Sequence, residues 1–255
     1  MSKLSKLKKP LFFALTLIPI ALIGGYFTNN YILDTYDPAL LEQVASQLGS
    51  IDLLGVITMA QTVLYALFCG FVGYIITDKV GLNKPFTFRK KSLMTALGFG
   101  ALTGILLVAD HFATGAIYPQ IRTANLDGFT LDGVLASIFY GGIIEEVMIR
   151  LFFMALLSFV IWKLFFRKYP EGQVPQKVHI IANIVAALAF AAGHLPATVG
   201  IFGGLTPLIV VRCFLLNGIG GYLFGEAFRK HGIGYAMIAH AMAHIVKFVL
   251  FAIFA

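Results

Sequence analysis

Seven apolar segments fill most of this sequence, and each is long enough to cross a lipid bilayer as a helix. A spanning helix needs about 20 mostly apolar residues. Only 12% of the chain is charged, against about 25% in an ordinary soluble domain. We therefore predict an all-α fold, a polytopic bundle of about seven transmembrane helices, with six and eight as the limits. The predicted segments are 10–28, 52–77, 92–109, 132–162, 178–195, 205–225 and 232–254.

The basic residues predict how these helices are oriented. If the N-terminus lies inside, 15 of the 19 Lys and Arg residues fall in inner segments and only Arg122 falls outside. Cytoplasmic segments carry such an excess, so we expect an integral protein of a bacterial cell membrane with a cytoplasmic N-terminus. The bilayer is then an expected partner and nucleic acid is not, because the basic residues form no continuous face. The inner group comprises Lys3, Lys6, Lys8, Lys9, Lys79, Lys84, Arg89, Lys90, Lys91, Lys163, Arg167, Lys168, Lys177, Arg229 and Lys230.

The segments that connect the predicted helices on the outer side differ in character. Residues 29–51 and 110–131 are polar enough to face water, whereas 195–206 carry no charge. We predict 195–206 as a loop able to dip back into the membrane, where irregular backbone is tolerated only against protein or a wet cavity. Asp52 and Asp132 begin helices, and we expect both to act as N-caps.

Two adjacent acids, Glu145 and Glu146, lie inside the fourth apolar segment. A charged side chain at the bilayer centre costs about 2.5–3.5 kcal/mol even on insertion scales, so such an acid indicates a functional site. Glu146 and Arg150 are spaced i, i+4 and can pair on one helix face. Neighbouring residues point about 100° apart, which leaves Glu145 free to face a cavity between helices.

Histidines on two other apolar segments could meet Glu145. His194 ends the fifth segment, and His240 and His244 lie i, i+4 on the seventh. At 1.5 Å per residue, Glu145 is about 20 Å from the outer end of its helix, His240 about 22 Å and His244 about 16 Å. His194 reaches that depth only if 195–206 re-enters the membrane. A carboxylate base with imidazole donors is a set that peptide hydrolysis requires.

Other interpretations of these residues remain open at this stage. Three histidines with Glu145 could hold a zinc ion with an open coordination position, although no His-Glu-x-x-His motif occurs. Glu and His chains also relay protons in transporters, although no inverted repeat is visible. Our leading expectation needs no cofactor. Cys69 and Cys213 lie in apolar segments and are expected to be buried thiols rather than a disulfide pair.

Three motifs together resemble one known family. Glu-Glu-x-x-x-Arg ends at Arg150, Phe-x-x-x-His ends at His194, and a further histidine, His240, lies in the last apolar segment. This order resembles the CPBP family of CAAX proteases and bacteriocin-processing proteins, also called the Abi family, over residues 141–250. The resemblance makes 132–255 a CPBP-like catalytic transmembrane core. Residues 1–131 form an N-terminal transmembrane region of about three spans that no motif explains.

The resemblance implies an intramembrane endopeptidase of the glutamate type, acting on a membrane-associated peptide or protein. Glu145 would activate water with help from His194, Glu146 and Arg150 would support the site, and His240 with His244 would stabilise the oxyanion. Family members usually carry Asn where this chain has His244. That departure motivates the alternative of a non-catalytic CPBP-like membrane scaffold that binds a partner protein.

Overall fold

The chain folds into a bundle of helices that confirms the predicted all-α architecture. The computed structural model describes residues 3–254, with side chains from residue 7 onward, so the side chains of Lys3 and Lys6 lie outside the described part. Seven stretches in it are long and apolar enough to cross a membrane, as predicted. These spans are Leu7–Thr35, Asp52–Val80, Lys90–Ile117, Leu131–Phe165, Gln176–Phe202, Pro207–His231 and Ile233–Phe254.

Most spans consist of one helix, and the others are helices joined end to end. The first span is interrupted at Leu17, and the fourth contains two π-helical segments, Ser137–Glu145 and Val147–Met154. The α-helices are α1 Lys3–Thr16, α2 Ile18–Thr35, α3 Pro38–Leu48, α4 Asp52–Val80, α5 Lys90–Ile117, α6 Gln120–Asp127, α7 Leu131–Ala136, α8 Ala155–Phe165, α9 Gln176–Gly193, α10 Leu195–Phe202, α11 Pro207–His231 and α12 Ile233–Phe254.

The segment predicted as a loop at 195–206 is helical for most of its length, so that prediction is wrong. Residue His194 joins α9 to α10 with helical backbone angles, φ −85° and ψ −9°. The next helix ends at Phe202, where Gly203 adopts φ 69°, a left-handed angle that glycine tolerates. Because the helix continues past it, His194 lies well inside the fifth span rather than at its surface end.

The two aspartates expected to cap helices lie one or two positions too far along the chain. Asp52 and Asp132 occupy the first turns of α4 and α7. The N-cap of α7 is Thr130, whose hydroxyl accepts a hydrogen bond from the Gly133 backbone at 3.0 Å. The N-cap prediction is therefore wrong for both residues, although an acid in the first turn still complements the helix dipole.

Close approach of α5 and α12 sets the position of the seventh span. A Cβ placed on Gly104 would lie 2.6 Å from the carbonyl oxygen of Ala243, and one on Gly100 would overlap that of Ala239. Small residues four apart allow helices in a bilayer to pack backbone to backbone. This contact holds the stretch of α12 that carries His240 firmly against its neighbour.

Candidate functional site

A cavity of about 460 Å³ lies between the helices of both halves of the chain, and all four predicted catalytic side chains line it. Glu145 comes from the first π-helical segment, His194 from the junction of α9 and α10, and His240 and His244 from α12. Residues from three spans that are far apart in the sequence therefore face one space. The four side chains thus meet in one cavity, as the estimated helix depths allowed.

Glu146 points away from the cavity and is fully buried. Its Oε1 accepts a hydrogen bond from Nη1 of Arg150 at 2.7 Å, which confirms the predicted i, i+4 pair. Nη2 of Arg150 donates to the Gly221 carbonyl at 3.0 Å. The guanidinium also lies over the rings of Phe190 and Phe224, at 4.6 and 5.6 Å. This ion pair therefore connects the fourth, fifth and sixth spans.

His240 is oriented by that same glutamate. Its Nδ1 lies 2.8 Å from Oε1 of Glu146, so the ring donates from Nδ1 and presents Nε2 on its other side. The ring stacks on Phe224 with centroids 4.4 Å apart and an interplanar angle of 19°. A carboxylate and an aromatic face thus fix the direction in which this imidazole points.

His194 has its tautomer set by the backbone. Nδ1 lies 2.8 Å from the carbonyl oxygen of Phe190, and since a carbonyl only accepts, Nδ1 carries the proton. Nε2 of the neutral ring is then an acceptor, on a side chain that lines the cavity. The motif spacing of four residues is what brings this ring back over its own helix.

Glu145 differs from its neighbour Glu146 in exposure and in hydrogen-bond partners. The side chain is partly exposed and lines the cavity, and among the described residues it forms no hydrogen bond or ion pair. The expectation that the two acids face different surroundings is confirmed. One carboxylate is paired inside the packed bundle, and the other faces the cavity with no partner among the described residues.

His244 completes the group and packs on His240, with ring centroids 5.1 Å apart and an interplanar angle of 25°. Its Nδ1 is buried without a partner among the described residues. A Cβ on Gly141 would lie 3.3 Å from Nε2 of His244 and 3.7 Å from Nε2 of His240. Both Nε2 atoms therefore lie next to the turn just before Glu145, and glycine at 141 leaves the His244 ring its present position.

Two basic side chains within the spans also line the cavity. Arg212 pairs with Asp110 through Nε and Oδ2 at 2.7 Å, and Lys247 also lines the cavity. The apolar window of the third segment stopped at 109, because Asp110 and His111 look like the start of a loop. The helix in fact runs to Ile117, which places this acid inside the span.

The cysteines form no disulfide within the described residues, and the histidines there form no metal site. Cys69 and Cys213 are free and buried, as expected. Within the part of the chain that the structure describes, no three His, Cys, Asp or Glu side chains are grouped so as to hold a metal ion. The residues present therefore do not fit a zinc site, and no step is assigned to one.

Comparison with known proteins identifies a family for the part of the chain that forms the site. Residues 128–246 match the family model described as Rce1-like, type II CAAX prenyl endopeptidase Rce1-like. The match includes Glu145, Glu146, Arg150 and the three histidines of the cavity. No curated protein and no solved structure matches the chain.

Proposed function

We propose that residues 128–246, which match the Rce1-like model of type II CAAX prenyl endopeptidases, form the core of an intramembrane endopeptidase of the glutamate type. The observation that carries this proposal is the contrast between the two adjacent acids. Glu146 is spent on Arg150 and His240, whereas Glu145 faces the cavity with no partner among the described residues. An unpaired carboxylate at membrane depth costs free energy, and such residues typically mark functional sites.

Glu145 acts as the general base in this proposal. It takes a proton from a water molecule in the cavity, and the water oxygen attacks the carbonyl carbon of the scissile peptide bond. His194 assists, because its Nε2 accepts a hydrogen bond from the same water while Nδ1 is held by the Phe190 carbonyl. The proton is then passed to the leaving nitrogen, the C–N bond breaks, and a carboxylate and an amine are released.

His240 and His244 stabilise the negative charge that develops on the carbonyl oxygen. Donors aimed at a developing oxyanion in a low-dielectric site are usually the largest single contribution to such catalysis. His240 donates from Nε2 in the doubly protonated form of its ring, in which Nδ1 keeps its hydrogen bond to the Glu146 carboxylate at 2.8 Å. His244 supplies the second donor from Nε2, which points at the same turn.

The position of His244 also supports the alternative, a membrane scaffold with the same fold. Its Nδ1 has no partner among the described residues that would fix the tautomer, unlike Nδ1 of His194 and His240. A scaffold would bind a partner protein without turnover. The two functions differ in whether Glu145 is needed for more than stability.

The experiment that tests the proposal compares two isosteric substitutions. Purified wild type, Glu145→Gln and Glu171→Gln are mixed in detergent with a library of membrane-associated peptides, and cleavage is followed by mass spectrometry. Glu171 is an exposed glutamate outside the spans and serves as the matched control. Loss of a general base predicts a fall of about 10²- to 10⁴-fold for Glu145→Gln alone. Equal cleavage by wild type and Glu145→Gln would leave the scaffold as the better proposal.

A further inference from the structure

The cavity is displaced toward one end of the bundle, measured along the helices. In the fourth span, Leu131–Phe165, the lining residues stop at Glu145, and in the fifth, Gln176–Phe202, they begin at Phe190. These are the halves next to the connections that contain α3, α6 and residues 203–206. The cavity therefore extends toward one membrane face and not toward the other.

Residues outside the spans also line the cavity, and all of them lie at that same end. They are Tyr36, which follows α2, together with Ala124, Asn125 and Gly128 in and after α6. No lining residue comes from 81–89, from 166–175 or from Gly232, the connections at the opposite end of the described structure. Among the described residues, the cavity lining therefore reaches the end of the bundle that contains α6 and does not reach the opposite end.

The two ends of the bundle differ strongly in charge. The end away from the cavity holds the 15 basic residues of the inner group, whereas Arg122 is the one base in the connections at the cavity end. Short connections rich in Lys and Arg remain in the cytoplasm. The cavity end is accordingly the non-cytoplasmic end.

We propose that the site opens to the non-cytoplasmic side of the membrane, so that its substrate is an exported peptide or the external part of a membrane protein. The claim that the site cleaves a substrate rests on the proposed function. The direction of opening rests on the cavity lining and the charge distribution instead. A cytoplasmic protein with a lipid-modified C-terminus lies on the wrong side for this site. The inference therefore separates this chain's substrate from the substrate that the family's name suggests.

The depth of Glu145 in the fourth span places a requirement on the substrate. Glu145 is 14 residues into the fourth span, about 20 Å along the helix axis. An extended chain covers at most about 3.3–3.6 Å per residue, so a folded domain cannot present its peptide bond to Glu145. The substrate must supply an unfolded stretch of about six residues between the membrane face and the scissile bond.

Single cysteines test the direction of opening. In a full-length Cys69→Ala, Cys213→Ala background, Thr123→Cys marks the exposed surface of α6 and Gln173→Cys marks the opposite connection. Ala197→Cys places the probe in the cavity, one turn beyond His194. Each variant is exposed to a membrane-impermeant maleimide in sealed right-side-out and inverted vesicles. Labelling after solubilisation in denaturant measures the protein present.

We expect Ala197→Cys and Thr123→Cys to react in right-side-out vesicles and Gln173→Cys in inverted ones. Reaction of Ala197→Cys only in inverted vesicles would overturn the inference, and so would protection from both sides, because the cavity would then not open to water. Reaction of Thr123→Cys from the cytoplasmic side would overturn the assumed orientation and the inference with it.

Activity in sealed vesicles separates this inference from the proposed function. A peptide that wild type cleaves in detergent is added outside right-side-out vesicles, and we expect cleavage without permeabilisation. If detergent-solubilised protein cleaves the peptide and these vesicles do not, the direction of opening is wrong and the endopeptidase stands. If neither preparation cleaves any peptide while Ala197→Cys still reacts from outside, the direction stands and the proposed function falls.

Discussion

Oε1 of Glu146 lies 2.8 Å from Nδ1 of His240 and 2.7 Å from Nη1 of Arg150. One buried carboxylate oxygen therefore holds a cation of its own helix and an imidazole of another. The second acid of the Glu-Glu pair contributes to the site by fixing the direction of His240, without facing the cavity itself.

Glu146→Gln should destabilise the protein far more than Glu145→Gln. The substitution leaves Arg150 buried without its counter-ion, and breaking a buried pair typically costs about 3–5 kcal/mol. Thermal unfolding in detergent should show a clearly lower midpoint for Glu146→Gln. Glu145→Gln serves as the control and should unfold close to wild type, since that side chain has no partner to lose among the described residues. Equal midpoints for the two variants would contradict the structural role of Glu146.

Gly141→Ala should reduce activity without unfolding the bundle. The added methyl group would lie 3.3 Å from Nε2 of His244 and 3.7 Å from Nε2 of His240. The His244 ring must move by a few tenths of an ångström, whereas the distance to His240 is an ordinary contact. Misplacing a well-aimed oxyanion donor costs about 10²- to 10³-fold in kcat. Gly98→Ala is the matched control, because nothing lies within 4 Å of its Cβ position. A Gly141→Ala variant with wild-type kcat would place the oxyanion elsewhere.

Gly104→Val should separate α5 from α12 and lower stability. Even its Cβ would lie 2.6 Å from the Ala243 carbonyl oxygen and 2.8 Å from the Cβ of Val246. Inserting atoms into a well-packed contact typically costs about 1–3 kcal/mol. The free energy of unfolding, measured by denaturant titration in micelles, should fall by that amount. Gly98→Val on the same helix should change it little, and a similar loss there would indicate a propensity effect instead.

Lys247→Met should weaken binding of peptides with a carboxylate toward the outer end of the cavity. Lys247 lines the cavity and has no ion pair among the described residues, whereas the nearby Arg212 is paired with Asp110. A hydrogen bond to a charged group contributes about 1.5–3 kcal/mol, which corresponds to roughly tenfold or more in KM. KM for the corresponding amidated or neutral peptide should not change. If both peptides respond alike, Lys247 has a packing role only.

The sequence predicted the features that depend on neighbouring residues. Hydropathy located seven spans, and the i, i+4 rule separated Glu146 with Arg150 from Glu145, because both signals are local. Asp110 escaped prediction, since its partner Arg212 is 102 positions away and nothing near Asp110 reveals the pair. The helix at 195–202 was not predicted for a different reason. Its Pro196 and glycine resemble loop signals, yet proline is tolerated in the first turn of a helix.

Burial near the helix ends could not be predicted from position in the sequence. His179 looks like a surface residue at the edge of the fifth segment. In the structure it is buried, and its Nδ1 lies 3.1 Å from the Ser158 hydroxyl. Whether an end residue faces lipid, water or another helix depends on how the spans pack. The catalytic roles of the cavity residues stay predictions until activity is measured.

The π-helical segment Ser137–Glu145 makes the register of the fourth span part of the site. Its hydrogen bonds join residues i and i+5, one residue further than in an α-helix. A π-helical turn therefore holds about one residue more than an α-helical turn, and the same nine residues in α geometry would wind further around the axis. The end that carries Glu145 would then be rotated relative to α7, and its carboxylate would no longer face the cavity. The helix type of this segment is thus as strict a requirement as the identity of the acid that ends it.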